Sequence, residues 1–381
     1  MRRLVGIGLV AALLGPACSP TYVLRAGWAE WQLLRARRPI AAALHDRSLD
    51  SVTRAKLALV LDARAFADSA LGLRVGRAYT SVAFLRRDTL ALVLSAVRKD
   101  RFEPYRWWFP IVGRVPYKGF FRRLDAERAA AALERRGYDT YLRPTVAFST
   151  LGWLPDPLPS PLLRADSVAL VATIVHETFH NTLFLPGQVG FNESAAELVG
   201  AQGAIAFFCG RAPDSPRCDE ARLAWWDQIR FGAFHEALVE ELRRLYDRSD
   251  LDRSAKLRRR EEVFAATRAR FRNAVQPCLR VARYEGFLRG PLNNATVLAR
   301  ALYHERLPLL EAWWRRQSGD ARAKIAALVA LARAHPRDPF GAVAATVPAA
   351  EVAGVVTPCP TAGGERRFVG TTVDARSESP E

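Results

Sequence analysis

Two histidines and a glutamate at fixed spacing are the residues of this sequence with the clearest chemistry. Residues 176–180 read HETFH, an HExxH pattern, within a mostly apolar segment, 168–183, that favours a helix. Residues four apart on a helix lie on one face, so His176 and His180 can bind one metal ion. Glu177 lies beside that face and can reach a water held by the ion. The pattern predicts a site for one Zn2+ that is suited to hydrolysis, and the alternative is a helix whose histidines only cap or pack.

The sequence that follows offers a third ligand. A catalytic zinc keeps three protein ligands and one open position for water. Residues 185–190 read LPGQVG, which predicts a helix end, and a second apolar helix is predicted over 192–208. Glu193, near the start of that helix, is the predicted third ligand. Glu197, one turn later, and Asn192 are predicted to support the ligands from outside, and a solvated helix face is the alternative.

These motifs resemble the gluzincin metallopeptidases, which include thermolysin, and more closely the bacterial putative aminopeptidase family, found as lipoproteins. The resemblance runs in order over roughly residues 20–340, and its segments include FPIVG, PYKGFF, AFSTLGW, HETFH, FNES and LNNA. It implies a zinc-dependent peptidase, an aminopeptidase by the family's name, with a peptide as substrate. The alternative is a lipoprotein interaction module that retains a non-catalytic zinc site. The intact Glu177 argues against that alternative, because a structural site has no use for a base.

The resemblance also implies roles for residues outside the motif. In gluzincins an edge strand before the zinc helix pairs with the substrate backbone, so Ser149 and Thr150 are candidate substrate-binding residues, with an ordinary core strand as the alternative. Tyr303, on a late predicted helix, is the candidate catalytic donor to the oxyanion, and a packed tyrosine is the alternative. Thr178 and Phe179 depart from the family's usual Leu-Ala pair, which predicts altered packing with zinc binding kept.

The N-terminal segment predicts export. Two arginines precede an apolar stretch over 4–14, and small residues then lead to Cys18, which is typical of a bacterial lipoprotein signal over residues 1–17. The apolar stretch is too short to span a bilayer. Lipidation of Cys18 would anchor the protein to a membrane, and plain secretion is the alternative. Ser19 after that cysteine suggests, by resemblance to known sorting rules, the periplasmic face of the outer membrane in the cell envelope.

The other cysteines fit an oxidising compartment. Cys209, Cys218, Cys278 and Cys359 are even in number, and none has the spacing of metal ligands. Cys209 and Cys218 flank a short loop and are candidates for a local disulfide, which would leave Cys278 to pair with Cys359. Four cysteines allow three pairings, and the sequence does not choose among them.

The positive net charge does not predict a nucleic-acid partner. The formal charge is +17, but arginine carries almost all of it, and the arginines are spread along predicted helices beside glutamates. This pattern is typical of a solvated helix surface, with attraction to anionic lipid as an additional role. No nucleic-acid-binding signature is present in the sequence.

The expected fold is α+β, with a strand-rich N-terminal half packed on a mainly helical C-terminal half and a thermolysin-like zinc helix near their junction. The predicted regions are 1–17 (signal), 18–160 (helix and antiparallel strands), 161–340 (helical zinc region) and 341–381 (a partly disordered tail). Strands are predicted over 78–84, 90–97, 106–112 and 138–149. Helices are predicted over 21–38, 51–71, 124–136, 162–184, 192–208, 219–247, 253–285 and 291–336.

Overall fold

The fold is α+β, as predicted, with small sheets mostly in the N-terminal half and helices in the C-terminal half. The computed structural model describes residues 35–85, 91–109, 113–120, 122–145 and 157–356. The strands are β1 (Arg37–Pro39), β2 (Ser81–Ala83), β3 (Ala91–Arg98), β4 (Trp107–Phe109), β5 (Gly113–Val115), β6 (Tyr117–Phe120), β7 (Tyr138–Thr145) and β8 (Leu158–Pro159). The helices are α1 (Ile40–Leu44), α2 (Ser51–Ser69), α3 (Arg123–Arg135), α4 (Ser167–Thr182), α5 (Val189–Arg211), α6 (Pro216–Tyr246), α7 (Arg253–Arg270), α8 (Glu285–Leu288), α9 (Asn294–His304), α10 (Leu307–Arg316), α11 (Ala321–Ala334), α12 (Pro339–Ala344) and α13 (Ala349–Val355).

Strands β6, β3 and β7 form an antiparallel sheet in that order, and β7 is the strand nearest the candidate metal centre. β3 and β7 pair along their whole length, from Ala91 opposite Thr145 to Arg98 opposite Tyr138. The amphipathic helix α3 covers one face of the sheet, and Leu133 and Tyr138 belong to the small core between them. β1, β2 and β8 form a second sheet, in which β2 and β8 are parallel.

The largest hydrophobic core surrounds α4 and α5. It joins residues of α1 and α2 to residues of α10 and α11, so the N-terminal helices pack with the C-terminal ones. A separate aromatic core lies between α6, α7 and α8, where the rings of Phe231, Phe271 and Phe287 are fully buried and in mutual contact. Apolar packing from several sides therefore holds α4 and α5 in place.

Two long helices of the prediction are broken in the structure. The helix predicted over 253–285 ends at Arg270 and continues as a π turn and a 3-10 turn, where Pro277 cannot donate a helical hydrogen bond. The helix predicted over 291–336 is three helices. Both breaks lie at residues with left-handed backbone. Arg306, with φ 51°, separates α9 from α10, and Gly319, with φ 87°, separates α10 from α11.

Several predictions fall outside the described residues. These are the signal segment with Cys18, the strand end with Ser149 and Thr150, and Cys359, so the Cys278–Cys359 pairing stays a prediction. The Cys209–Cys218 disulfide is present and links the end of α5 to the start of α6. Within the described ranges, no helix combines the length and the apolar character needed to cross a bilayer.

Candidate metal centre

The helix that carries HETFH, α4, is fixed at its start and buried along most of its length. The Asp166 side chain caps it by accepting a hydrogen bond from the Ala169 amide at 2.7 Å. Thr178 and Phe179, the two residues that depart from the family pattern, are fully buried. The Thr178 hydroxyl donates to the Ile174 carbonyl at 2.8 Å, so its polar atom is satisfied within the helix.

The turn between α4 and α5 is held by Asn192. Its side-chain oxygen accepts from the Leu185 amide at 3.0 Å, and its side-chain nitrogen donates to the Leu185 carbonyl at 2.8 Å. We predicted that Asn192 would support a ligand from outside. Its amide instead fixes the turn that folds α5 back onto α4, and it therefore acts on Glu193 through the backbone.

A close helix–helix contact brings together α4 and α5, the two helices that carry the candidate ligands. Gly200 on α5 lies so near α4 that a Cβ there would meet the Ala172 carbonyl at 2.7 Å and the His176 Cβ at 3.1 Å. Both distances are shorter than ordinary van der Waals contacts. Only glycine allows this approach, one turn after Glu197.

The side chains of His176, His180 and Glu193 converge on one point. Their candidate ligand atoms all lie within 4.8 Å of one another. The two Nε2 atoms are 3.2 Å apart, and Glu193 Oε2 lies 3.5 Å from His176 Nε2 and 3.8 Å from His180 Nε2. Ligands about 2.0–2.1 Å from a tetrahedral zinc are about 3.3–3.4 Å from one another. The three atoms therefore fit one face of such a tetrahedron.

Glu197 lies on the other side of the His176 ring. Its Oε1 is 3.6 Å from His176 Nδ1. An acceptor at this nitrogen favours the tautomer whose Nε2 lone pair points to the metal position. Burial raises the pKa of Glu197, and the Gln228 side chain contributes a hydrogen bond that acts in the opposite direction.

The electrostatics of the centre show how tightly its charges are coupled. Burial lowers the pKa of His176, but the hydrogen bond to Glu193 and the carboxylates of Glu197 and Glu177 outweigh it and raise the value to about 9. Burial and the neighbouring His176 lower the pKa of His180 to about 4. Glu177 is therefore near enough to the centre to act on a ligand histidine.

The family profile described as "Putative aminopeptidase" matches residues 21–339. The chain belongs to that family. The match covers the described strands and every residue of the centre, and the family's description indicates a peptidase. No curated protein and no solved structure matches this chain.

In this family member, Tyr303 lies beside the centre. Its ring is 6.5 Å from the ring of His176, with 29° between the planes. Its hydroxyl oxygen accepts a hydrogen bond from Arg143 Nη1 at 3.4 Å. Burial and the Glu193 carboxylate raise the pKa of Tyr303, although Arg143 acts against them. The hydroxyl therefore keeps its proton at neutral pH and can donate it in a hydrogen bond.

The helix that carries Tyr303, α9, is attached to β7 at its N-terminal end. Asn293 caps α9 and donates from Nδ2 to the Thr140 carbonyl at 3.1 Å. The Asn294 amide donates to Asp139 Oδ2 at 3.0 Å, and Asp139 is itself held by a buried pair of hydrogen bonds from Arg260. The LNNA segment of the family resemblance thus joins the sheet to the helix and sets the distance between Arg143 and Tyr303.

Sequence reasoning missed Arg143, Gln228 and Gly200. Arg143 sits in the predicted strand between a leucine and a proline, with no motif around it. Its importance comes from a partner 160 residues later in the chain, which spacing alone does not reveal. Gly200 gives a weak signal, because a glycine inside a predicted helix often marks a close approach.

Proposed function

We propose that this protein is a zinc-dependent peptidase of the cell envelope that acts as an aminopeptidase. The observation that carries the proposal is the convergence of His176, His180 and Glu193 beside Glu177. Two imidazoles and a carboxylate with an open fourth position are a donor set used by catalytic zinc. The family's description supports peptides as the substrate class.

The residues of the centre divide the work of peptide hydrolysis among them. His176, His180 and Glu193 would hold the zinc ion, which would supply a Lewis acid and would lower the pKa of a water at the centre to about 7. Glu177 takes a proton from the attacking water and returns it to the leaving amine. Tyr303 donates a hydrogen bond to the substrate oxygen on which negative charge develops. Arg143 holds the Tyr303 oxygen from the other side, which leaves the hydroxyl proton free for the substrate.

Replacing Glu177 by glutamine tests this proposal. Glu177→Gln should bind as much zinc as the wild type and should lose peptide hydrolysis by two orders of magnitude or more, since a general base contributes about 10²–10⁴-fold. Glu262→Gln, on the exposed face of α7, is the matched control and should keep wild-type activity. Full zinc content with no hydrolysis of a diverse peptide library by the wild type would favour the interaction module instead.

Two further comparisons test the finer parts of the proposal. An aminopeptidase should cleave peptides with a free N-terminus and leave their N-acetylated counterparts intact, and equal cleavage of both would contradict this specificity. The cell-envelope location rests on the N-terminal signal. In cells, the wild type should incorporate labelled palmitate and Cys18→Ser should not, and absence of the label from the wild type would contradict lipid anchoring.

A further inference from the structure

Arg143 presents a positive charge beside the metal centre. It lies near the end of β7, and its Cζ is 5.9 Å from the centre of the Tyr303 ring. The Tyr303 ring in turn lies against that of His176. Arg143 also acts electrostatically on the Glu193 carboxylate. Its guanidinium is therefore separated from a ligand histidine by one aromatic ring.

Among the residues that the structure describes, most hydrogen-bond donors of this guanidinium have no partner. An arginine side chain has five N–H donors in a planar fork. Among the described residues, the Arg143 side chain makes one hydrogen bond, to the Tyr303 oxygen, and no carboxylate lies within ion-pair distance of it. Arg143 is solvent-exposed, whereas Arg260 on α7 is buried and forms a salt bridge with Asp139 of β7. The remaining donors of Arg143 can thus meet a ligand that enters from solvent.

The charge and shape of this fork select the chemical class of that ligand. A free amino terminus is a cation and is repelled by a guanidinium. A carboxylate accepts two parallel hydrogen bonds from it and is attracted as well. The docking of α9 on β7 fixes the fork relative to Tyr303, so the bound group would lie at a set distance from the scissile bond.

We propose that Arg143 binds a carboxylate of the peptide substrate and makes the centre selective for peptides that carry one near the scissile bond. This inference rests on the proposed peptidase function. The carboxylate can be the C-terminus of a short peptide or the side chain of an acidic residue. A free amine at one end and a carboxylate at the other are compatible with each other, because they occupy opposite sides of the bond that is cleaved.

Two matched pairs of peptides test the inference and separate the two sources of the carboxylate. One pair differs only in a C-terminal carboxylate or carboxamide, and the other only in glutamate or glutamine next to the scissile bond. The wild type should show a kcat/KM about tenfold or more higher on the charged member of one pair, as expected for hydrogen bonds to a charged group. Arg143→Gln should reduce that ratio to about one, and Arg143→Lys should retain part of it.

The ratio of kcat/KM between the charged and uncharged peptides of a pair separates two roles of Arg143, binding of the substrate and positioning of Tyr303. Loss of Arg143 also releases the Tyr303 hydroxyl, which lowers the rates on both members of a pair equally. Arg128→Gln, an exposed arginine on α3, removes the same charge and should leave the ratio at its wild-type value. A wild-type ratio of one in both pairs, or a ratio that survives in Arg143→Gln, would overturn the inference.

Binding of uncleaved peptides provides a readout that does not depend on turnover. In a Glu177→Gln background, calorimetry should show tighter binding of the charged member of the pair, and adding Arg143→Gln should remove the difference. If the zinc-loaded wild type cleaves no peptide, the proposed peptidase function fails by itself. The calorimetric difference then still decides the role of Arg143, because its absence overturns carboxylate binding and its presence retains it.

Discussion

Two pairs of histidines, each with one buried and one half-buried member, have opposite surroundings in this molecule. His176 and His180 lie one turn apart, with their Nε2 atoms 3.2 Å from each other and with carboxylates beside them. His235 on α6 and His304 on α9 have ring centroids 6.3 Å apart and lie against the Phe231 ring in the aromatic core. Both pairs are held by helix packing, so burial alone does not distinguish them.

The difference is the presence of acidic side chains. Burial, His304 and Arg300 lower the pKa of His235 to about 3, and burial lowers that of His304 to about 4. The Nε2 atom of His235 is buried without a hydrogen-bond partner in the described part of the chain. Histidines without a nearby carboxylate thus stay neutral and contribute packing, whereas histidines beside two carboxylates form a candidate cation site.

The largest effect is expected from removing a ligand from the first pair. Loss of a residue that only supports a ligand typically lowers metal affinity about 10- to 100-fold. His180→Ala should lower zinc affinity further than that, because it removes one of the three proposed ligands. His235→Phe, which removes the imidazole of the second pair but keeps an aromatic ring in the core, should leave the affinity unchanged. Competition with a fluorescent chelator measures the zinc affinity of both variants. Similar losses of affinity in the two would contradict the different roles of the two histidine pairs.

A smaller effect is expected when the outer carboxylate of the first pair is neutralised. Glu197→Gln keeps the shape of the side chain but weakens its interaction with His176 Nδ1, so zinc affinity should fall about 10- to 100-fold. The same chelator competition measures the zinc affinity of this variant. An affinity equal to that of the wild type would show that Glu197 does not act on the ligand.

The close packing that aligns the first pair can be disturbed without touching a ligand. Gly200→Ala places a Cβ against the Ala172 carbonyl, so α5 must shift from α4, at a cost of about 1–3 kcal/mol in unfolding free energy. Gly210→Ala, on the same helix with open space around it, is the control and should be neutral or slightly stabilising. Chemical denaturation compares them, and equal stability of both variants would refute the role of this contact.

The neutral state of the second pair predicts a dependence of stability on pH. The unfolded chain takes up a proton on His235 near the ordinary pKa of 6.5, whereas the folded chain takes it up near 3. Acidification between these values therefore favours the unfolded state, and the stability is complete above about pH 6.5. Between pH 7 and pH 5 the wild type should lose about 1–2 kcal/mol more unfolding free energy than His235→Phe. Parallel losses in the two proteins would contradict a buried neutral histidine.

The sequence predicted the first pair well because local geometry controls it. Helix periodicity places His176 and His180 on one face, and the Pro-Gly turn followed by the second helix brings Glu193 back to them. The α+β class followed equally from strand-like and helix-like periodicity. The helix boundaries within 253–285 and 291–336 were missed, because single left-handed residues and a proline interrupt an otherwise continuous helical pattern.

The second pair and Arg143 show what the sequence does not reveal. His235 is 1% exposed because α6 packs against α7 and α9 on the face that carries it. Arg143 reaches Tyr303 only through the docking of α9 on β7 by Asn293 and Asn294. Contacts between segments more than 100 residues apart depend on the tertiary arrangement and leave no periodic trace in the chain.

The zinc content of the purified protein, measured beside that of a His176→Ala/His180→Ala double variant, shows directly whether these histidines bind the metal. After zinc loading and dialysis, the wild type should retain about one zinc per chain and the folded double variant none. Wild-type protein that retains no zinc, or a double variant that retains as much as the wild type, would contradict the assignment of these residues as the metal centre.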